Sequence, residues 1–420
     1  MTSPPPASPT ASPIEPWHIV AAGMLSLAVA MGIGRFAFTP LLPMMLHDGV
    51  VDLRKASWLA SANYLGYLLG ALLCTAQPWI WRRLGGLPPV RHTLAVRIGL
   101  SATCALTLGM AQHFPAAWPL LRFLAGVASA LVFVFASGWC MGQLARLGVP
   151  ARGALIFVGP GAGIMLSGVA ASAMVADGWR AATGWLAFGV LAAVLTAAIW
   201  RVFARQHVLP ISAPAPVASS AEPAGERTHG ATELGLLTLA YGLAGFGYII
   251  TATFLPVIAR GTLPNSAWLD LFWPIFGLGV MLGAVIASRI RNPGDMRIML
   301  AGCYVIQALG VAAGLVSPTS AGFAIGSLLL GLPFTAITYF AMQEVRRVRP
   351  LAVSAFTGLL TAMYGFGQVA GPPLAAFAIA HSASATQGFD LSLGIAAASL
   401  VLGALIYGWM ARAYPYPRGH

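Results

Sequence analysis

The chain has 420 residues, of which 58% are hydrophobic and only 8% are charged, and its formal net charge is +12. Soluble domains carry roughly 25% charged residues, so this composition excludes a water-soluble globular protein and indicates a membrane protein. The basic residues lie in short clusters between apolar runs instead of forming one patch, which argues against a nucleic-acid partner.

The N-terminal segment is rich in proline, serine and alanine, and its first 16 residues contain no Lys or Arg. A signal peptide would need a basic segment and a cleavage site, so we predict a disordered cytoplasmic tail over 1–18. The first apolar run follows at 19–46. It contains the stretch GIGRFAFTPLLP at 32–43, in which Arg35 is the one charge.

Further apolar runs follow at intervals along the chain, and a membrane-spanning helix needs about 20 mostly apolar residues. A Pro/Ala/Ser-rich stretch at 204–233 divides these runs six and six and is typical of a flexible linker. We therefore predict an all-α membrane protein with six-helix bundles over 19–203 and 234–412, followed by a cytoplasmic tail at 413–420. The twelve predicted spans are 19–46, 57–80, 94–111, 118–144, 153–176, 181–203, 234–259, 268–288, 298–316, 321–342, 353–380 and 391–411.

The distribution of Lys and Arg among the loops predicts the orientation, because basic residues are retained on the cytoplasmic side. With the N-terminus inside, sixteen of them fall on inner loops and the C-terminal tail, and four fall on outer loops. We expect a multi-pass protein of a bacterial-type inner membrane with both termini cytoplasmic. The four cysteines lie within apolar runs without metal-ligand spacing, so we predict no metal site and no cofactor.

The two halves resemble each other, which predicts a duplicated six-helix unit with pseudo-symmetry. Parallel repeats of this kind around a midplane site are a transporter architecture. A shift of 213 residues aligns one set of glycines in the first span of each half, and a shift of 204 aligns another set in the fifth. The matched pairs are Gly32 with Gly245, Gly34 with Gly247, Gly161 with Gly365, and Gly163 with Gly367.

Three further motifs carry a family resemblance. They are RFLAGVASA at 122–130, GQVAGPPLAA at 367–376 and DGWR at 177–180. With the twelve spans and the long central linker, the chain resembles a major facilitator superfamily transporter, and its opening stretch is similar to the YbfB/YjiJ-like branch. The resemblance implies a monomeric secondary transporter working by alternating access, with a small-molecule substrate and a proton as the candidate coupling ion.

The chain departs from this superfamily in the loop between its second and third spans. Cys74 stands where the superfamily usually has an aspartate, and the equivalent position after the eighth span is Ala287. The acid that helps to latch the inner gate is therefore absent twice. Four nearby arginines then need helix C-terminal carbonyls or Glu344 as partners. They are Arg82, Arg83, Arg289 and Arg291.

Arg35 has two interpretations. A charged residue at mid-membrane costs about 2.5–3.5 kcal/mol on insertion scales and usually faces a bundle interior or a water cavity. Either it lines a central cavity and binds an anionic substrate through its planar fork, or it binds carbonyls freed by Pro40 and Pro43. Its counterpart in the repeat is Tyr248, so the halves differ chemically at this point.

Arg122 and Arg97 also lie within predicted spans. On a helix, Arg122 shares one face with Gly126, Ser129 and Phe133. The resemblance implies that Arg122 lines the cavity, and the alternative is that it reaches the membrane surface. Arg97 lies a turn from the inner end of its span, where we expect it to anchor the helix at the interface.

The eleven acidic residues all fall in loops, tails or span edges, so the sequence offers no mid-membrane carboxylate for Arg35. This pattern favours a small organic solute that is anionic or amphiphilic. The alternative is an efflux pump for hydrophobic drugs or cations, which the Gly-Pro motif of the eleventh span indicates. We predict no catalytic residues, because motifs such as HExxH are missing and the chain is therefore not expected to be an enzyme.

The remaining candidate site residues divide into two groups. By resemblance, polar side chains that border the cavity supplement Arg35, Arg122 and Tyr248 in substrate binding; they are Asn63, Tyr339, Tyr364 and Gln368. Small residues and prolines allow close helix packing and bending, and the resemblance adds a gating role. These are Gly32, Gly34, Pro40, Pro43, Gly126, Gly163, Gly367, Gly371 and Pro372.

Overall fold

The computed structural model describes residues 15–84, 90–112, 114–204, 231–263, 266, 268–290, 294–348 and 353–416. All regular secondary structure within these residues is helical. The predicted linker at 204–233 and the tail at 1–18 lie mostly outside the described residues, as does the second half of the tail at 413–420. The helices are α1 (Pro16–Leu27), a π-helical segment (Ala28–Arg35), α2 (Phe38–His47), α3 (Leu53–Arg83), α4 (His92–Gly109), α5 (Trp118–Arg146), α6 (Val158–Ala176), α7 (Ala181–Ala204), α8 (Ala231–Thr262), α9 (Phe272–Arg289), α10 (Met296–Val316), α11 (Ser320–Gly331), α12 (Phe334–Val348), α13 (Val353–Ala380) and α14 (Ala385–Ala413).

Within the described residues, 10 helical segments are long and apolar enough to cross a membrane. This finding confirms the prediction of an all-helical membrane protein. Two other long helices, α4 and α13, are not in that set. The helix α4 carries Arg97, and α13 carries Gln368 and two internal prolines.

Local chemistry sets where several helices begin and end. At the start of α3, the Asp52 carboxylate accepts a 2.7 Å hydrogen bond from the backbone N–H of Lys55, as N-cap residues do. The end of α5 is followed by Gly148 at a φ of 72°. This left-handed residue lets the Val149 N–H return to the Leu144 carbonyl at 3.0 Å, which closes the helix end.

The N-terminal half (α1–α7) and the C-terminal half (α8–α14) each pack largely within themselves. In the first, α5 packs on α3 and α4, and α4 packs on α7. In the second, α8 packs on α13 and α14, and α10 packs on α11 and α14. The halves meet along α3 with α13, α6 with α9, and α2 with α8.

Two glycine pairs singled out by the repeat are in direct backbone contact. A Cβ on Gly32 would lie 2.4 Å from the Cα of Gly163, closer than any real packing contact. In the other half, a Cβ on Gly367 would lie 3.1 Å from the carbonyl carbon of Gly245. The aligned glycines thus allow the same close approach of two helices in each half, as small residues do at membrane helix interfaces.

Candidate functional site

The first span contains a wide helical turn at its middle. Residues Ala28–Arg35 form a π-helix, a rare geometry that is frequent at functional sites. After it, the Phe36 N–H bonds the Met31 carbonyl at 3.0 Å, and the Thr39 N–H bonds the Phe36 carbonyl at 3.2 Å. The Arg35 carbonyl therefore does not receive the Thr39 N–H, and the backbone here is open to other donors.

The Arg35 side chain projects from this turn into the interface between the halves. Its exposed fraction is 3%, and its Nη2 donates a 2.6 Å hydrogen bond to Gln368 Oε1 on α13. Its guanidinium carbon lies 4.0 Å from the ring centroid of Tyr67 and 5.4 Å from that of Tyr64. Its Nε has no hydrogen-bond partner. The Phe36 ring centroid is 5.2 Å from the guanidinium carbon, so the charge is held by one amide and three aromatic rings.

The contacts of Gln368 continue into the C-terminal half. Its amide Nε2 donates to the Tyr248 hydroxyl on α8. The Tyr248 ring stacks on Tyr364 with centroids 5.9 Å apart, and Tyr364 lies 4.9 Å from Tyr241. Three of the predicted substrate-binding residues, Tyr248, Tyr364 and Gln368, therefore gather around Arg35. We call Arg35, Tyr64, Tyr67, Tyr248, Tyr364 and Gln368 the Arg35 cluster.

Arg122 has different partners. Its Nη1 donates to the Gly34 carbonyl at 3.2 Å, and its Nη2 donates to the Arg35 carbonyl at 3.0 Å. Asn63 in turn donates from Nδ2 to the Arg122 carbonyl at 2.8 Å. Arg122 therefore binds two backbone carbonyls of the first span, whereas the Arg35 side chain bonds the Gln368 amide. Arg122 and Asn63 hold the backbone that carries Arg35.

The remaining predicted site residues are not members of the Arg35 cluster. Tyr339 is 42% exposed and accepts a 3.3 Å hydrogen bond from Gln343, so the structure does not bring it to Arg35. A Cβ on Gly126 would lie 2.0 Å from the Asn63 carbonyl oxygen, and one on Gly371 would lie 2.3 Å from Ile249. The prolines Pro43 and Pro372 lie inside helices α2 and α13, and Pro40 lies one turn before Pro43 in α2.

The halves are hydrogen-bonded to each other between Arg35 and the end of the bundle at which α2 finishes, here called the His47 end. Thr39 donates to the Ala252 carbonyl at 2.8 Å, and the Tyr64 and Thr253 hydroxyls are 2.8 Å apart. Two more bonds join Ser61 to the Val369 carbonyl and Ser172 to the Asp270 carbonyl. The structure is therefore closed at the His47 end.

A second buried polar group lies at the opposite end of the C-terminal half. Arg297 has an exposed fraction of 0%. Its guanidinium nitrogens lie 2.8 Å from a carboxylate oxygen of Asp295, 3.6 Å from one of Glu233 and 3.9 Å from one of Glu344. Arg347 pairs with Glu344 at 2.6 Å. The Tyr416 hydroxyl also donates to Glu344 at 2.6 Å, and the Tyr416 ring lies 3.9 Å from Arg347. We call these six residues the Arg297 cluster.

The Arg297 cluster corrects one expectation from the sequence. Glu344 is paired with Arg347 and lies near Arg297, and among the described residues it forms no ion pair with Arg289. Sequence reasoning missed this cluster, although its members all fall at span ends on the same predicted side. Glu233 and Glu344 are the buried carboxylates of the described residues, and both contact Arg297 instead of Arg35.

In the described part of the chain, no three His, Cys, Asp or Glu side chains are placed to hold a metal ion. The Arg35 cluster has one cationic side chain, amide and hydroxyl groups, and aromatic faces. Such a set can bind an anionic or polar organic group through hydrogen bonds and stacking. The cluster itself contains no carboxylate and no histidine.

Comparisons with known proteins place these features in a family. The family described as "Uncharacterised MFS-type transporter YbfB" matches residues 27–408. The "Uncharacterized MFS-type transporter YceJ" of Bacillus subtilis (strain 168) is 27% identical over 391 residues, which are 91% of this chain and 94% of that protein.

Solved structures show the same fold. A crystal structure of a point mutant of the nucleoside transporter NupG has a TM-score of 0.69 at 14% identity, over 94% of this chain and 99% of that one. Another crystal structure of NupG has a TM-score of 0.62 at 16% identity, over 95% and 100%. Because the family match covers nearly the whole sequence, the chain belongs to the YbfB family of major facilitator superfamily transporters.

Proposed function

We propose that this protein is a secondary active transporter that moves a small anionic or amphiphilic organic solute by alternating access. Twelve spans in two six-helix bundles would rock about the Arg35 cluster, as in transporters built from two repeats. The observation that supports this proposal best is Arg35 itself. It is buried at the interface and bonded to Gln368 of the other half, and no described carboxylate is paired with it.

An unpaired buried cation is costly, and a substrate anion would offset that cost. Substrate binding would also compete with Gln368 for the guanidinium. Loss of the Arg35–Gln368 bond would weaken the contact between the halves near the closed His47 end. In this scheme, substrate binding and opening are linked through one arginine. We further propose that both termini are cytoplasmic.

The proposal is tested by transport into proteoliposomes with a panel of small carboxylates, hydrophobic cations and uncharged nucleosides. Wild type is compared with Arg35→Ala and with Arg412→Ala, which removes an exposed arginine from the last turn of α14. We expect wild type and Arg412→Ala to move a carboxylate and Arg35→Ala to fail. Transport of cations alone would favour the drug-efflux alternative, and normal carboxylate transport by Arg35→Ala would overturn the assignment of Arg35.

A further inference from the structure

A groove on the outer surface of the N-terminal half has no assigned role. It lies between α4 and α7, is widely open to the outside of the bundle, and has a volume of about 510 Å³. Its floor includes Cys104 and Thr196, whose Sγ and Oγ1 atoms are 3.5 Å apart. Its rims are small or apolar side chains. The lining residues are Ser101, Cys104, Ala105, Leu108, Ala193, Thr196, Ala197, Trp200 and Arg201.

One end of the groove is cationic. Arg201 lines it at the last turn of α7. Arg97 lies one turn before Ser101 on α4, and its guanidinium carbon is 4.1 Å from the ring centroid of Trp200. The Arg97 Nε is buried without a hydrogen-bond partner. Neither arginine forms an ion pair with a described carboxylate.

The other end of the groove is apolar and faces the surroundings of the bundle. Leu108 lies seven residues from Ser101, so the groove runs along α4 for about 10 Å at 1.5 Å per residue. Large apolar side chains are exposed along the sides of the groove, including Ile98 next to Arg97 at 58% and Val194 at 60%. In a membrane transporter such a surface is covered by lipid chains, because exposed apolar side chains of this size are compatible with the bilayer interior.

The C-terminal half has a comparable pair of packed helices without a wide gap. Between α10 and α14, the Tyr304 ring occupies the space beside Gly403, where a Cβ would lie 2.4 Å from Tyr304 Cε1. Tyr304 also contacts Tyr407, with ring centroids 5.3 Å apart. An aromatic side chain fills that helix pair at its centre. Between α4 and α7, small side chains line the middle of the groove, and the larger Leu108, Trp200 and Arg201 lie towards its ends.

We propose that the groove between α4 and α7 binds an anionic phospholipid, with its phosphate between Arg97 and Arg201 and one acyl chain along the groove. The charge of the two arginines complements a phosphate, and Arg suits phosphate through its planar fork. Basic pockets between membrane helices bind anionic headgroups for this reason. The site is separate from the Arg35 cluster and does not depend on the transported solute.

The test uses the full-length protein purified in mild detergent and native mass spectrometry with three added probes. These are phosphatidylglycerol, phosphatidylcholine and glycerol phosphate, which supplies the headgroup anion without acyl chains. We expect phosphatidylglycerol to bind selectively. Arg201→Gln should weaken it about fivefold, and Arg97→Gln with Arg201→Gln about thirtyfold, since each basic residue near an anionic headgroup contributes comparably.

Two further variants keep the test decisive. Ala197→Trp fills the exposed rim of the groove while leaving both arginines in place, and it should also release phosphatidylglycerol. Arg412→Gln removes an exposed arginine elsewhere and should change nothing. Equal binding of phosphatidylglycerol by all variants would overturn the proposal. So would equal binding of phosphatidylcholine, or binding of glycerol phosphate that Ala197→Trp leaves intact, because the site would then not recognise an anionic lipid.

Discussion

Arg35 and Gln368 lie 333 positions apart in the chain, yet Arg35 Nη2 donates a 2.6 Å hydrogen bond to Gln368 Oε1. The bond joins the middle of the first span to α13. Among the described side-chain hydrogen bonds between the two halves, it is the one that has a charged donor. No carboxylate in the described part of the chain pairs with Arg35 to neutralise its charge. A change of charge at position 368 therefore tests whether the site must remain open to an external anion.

Gln368→Glu is expected to stabilise the structure seen here and to reduce transport of an anionic solute. The new carboxylate would pair with Arg35 and occupy the guanidinium that the substrate needs. Transport should fall at least about tenfold, which corresponds to about 1.4 kcal/mol, while the melting temperature in detergent rises. Gln343→Glu is the matched control on α12, away from Arg35. Unchanged anion transport by Gln368→Glu would contradict the substrate role of Arg35.

Arg122→Met is expected to destabilise the protein, because the Gly34 and Arg35 carbonyls would lose their donors. Hydrogen bonds to charged groups contribute about 1.5–3 kcal/mol each. Arg122→Lys should rescue little, since a single ammonium lacks the fork that reaches both oxygens. Thermal unfolding in detergent gives the measurement, with Arg146→Met on the exposed end of the same helix as control. A variant with wild-type stability and weakened substrate binding would indicate cavity lining instead.

The two arginines show what sequence reasoning could and could not establish. Pattern alone placed both in spans and offered a carbonyl-binding interpretation for one of them. It could not assign that role, because neither the π-helical segment Ala28–Arg35 nor the approach of Arg122 to its carbonyls is indicated by the local sequence. The sequence also could not identify Gln368 as the partner of Arg35, because Gln368 lies 333 positions away and is one of many polar residues in the spans.

The repeat was easier to predict, because close helix packing favours small residues and leaves a pattern of glycines in each half. Gly32 and Gly163 were singled out by separate shifts, and they touch each other in the structure. The Arg297 cluster was not predicted at all. Its members come from α8, α10, α12 and the chain after α14, and nothing in the local sequence around any of them indicates that these ends converge.

Gly163→Ala is expected to destabilise the N-terminal half, because its Cβ would lie 2.4 Å from the Ala28 carbonyl oxygen. Overpacking of this kind typically costs about 1–3 kcal/mol. Gly367→Ala should have a similar effect in the C-terminal half, where its Cβ would lie 2.4 Å from the Gly242 carbonyl oxygen. Thermal unfolding of both is compared with Gly138→Ala, which meets nothing within 4 Å. If Gly138→Ala were as damaging as the other two, close helix approach would not be the reason for these glycines.

Arg297→Leu is expected to be among the most destabilising single changes in the C-terminal half. It leaves Glu233 and Glu344, both about 99–100% buried, with one of their two shared cations, the partly exposed Arg347. Breaking a buried ion pair by removing one partner costs about 3–5 kcal/mol. Expression level and melting temperature give the measurement, with Arg412→Leu as the exposed control. A melting temperature equal to that of the control would show that Arg347 alone holds these carboxylates.

Asp295 gives the Arg297 cluster a predictable response to acid. Burial acts to raise the pKa of its carboxyl, but hydrogen bonds from the Arg297 side chain and backbone N–H outweigh burial and hold the pKa below its usual value. A lowered folded-state pKa contributes stability that is fully present above the unfolded pKa of about 3.9. That contribution is lost as the pH falls through the folded pKa.

Asp295→Asn keeps an oxygen for the cap of α10 but removes the charge, so it isolates this contribution. We expect wild type to melt at a higher temperature than Asp295→Asn by a constant margin between pH 7 and pH 5. The margin should shrink below about pH 4 as the wild-type carboxyl takes up a proton. Thermal unfolding across this range measures it, with Asp390→Asn on the exposed face of α14 as control. A margin that stays constant or widens in acid would mean that the Asp295 carboxylate is not stabilised by Arg297.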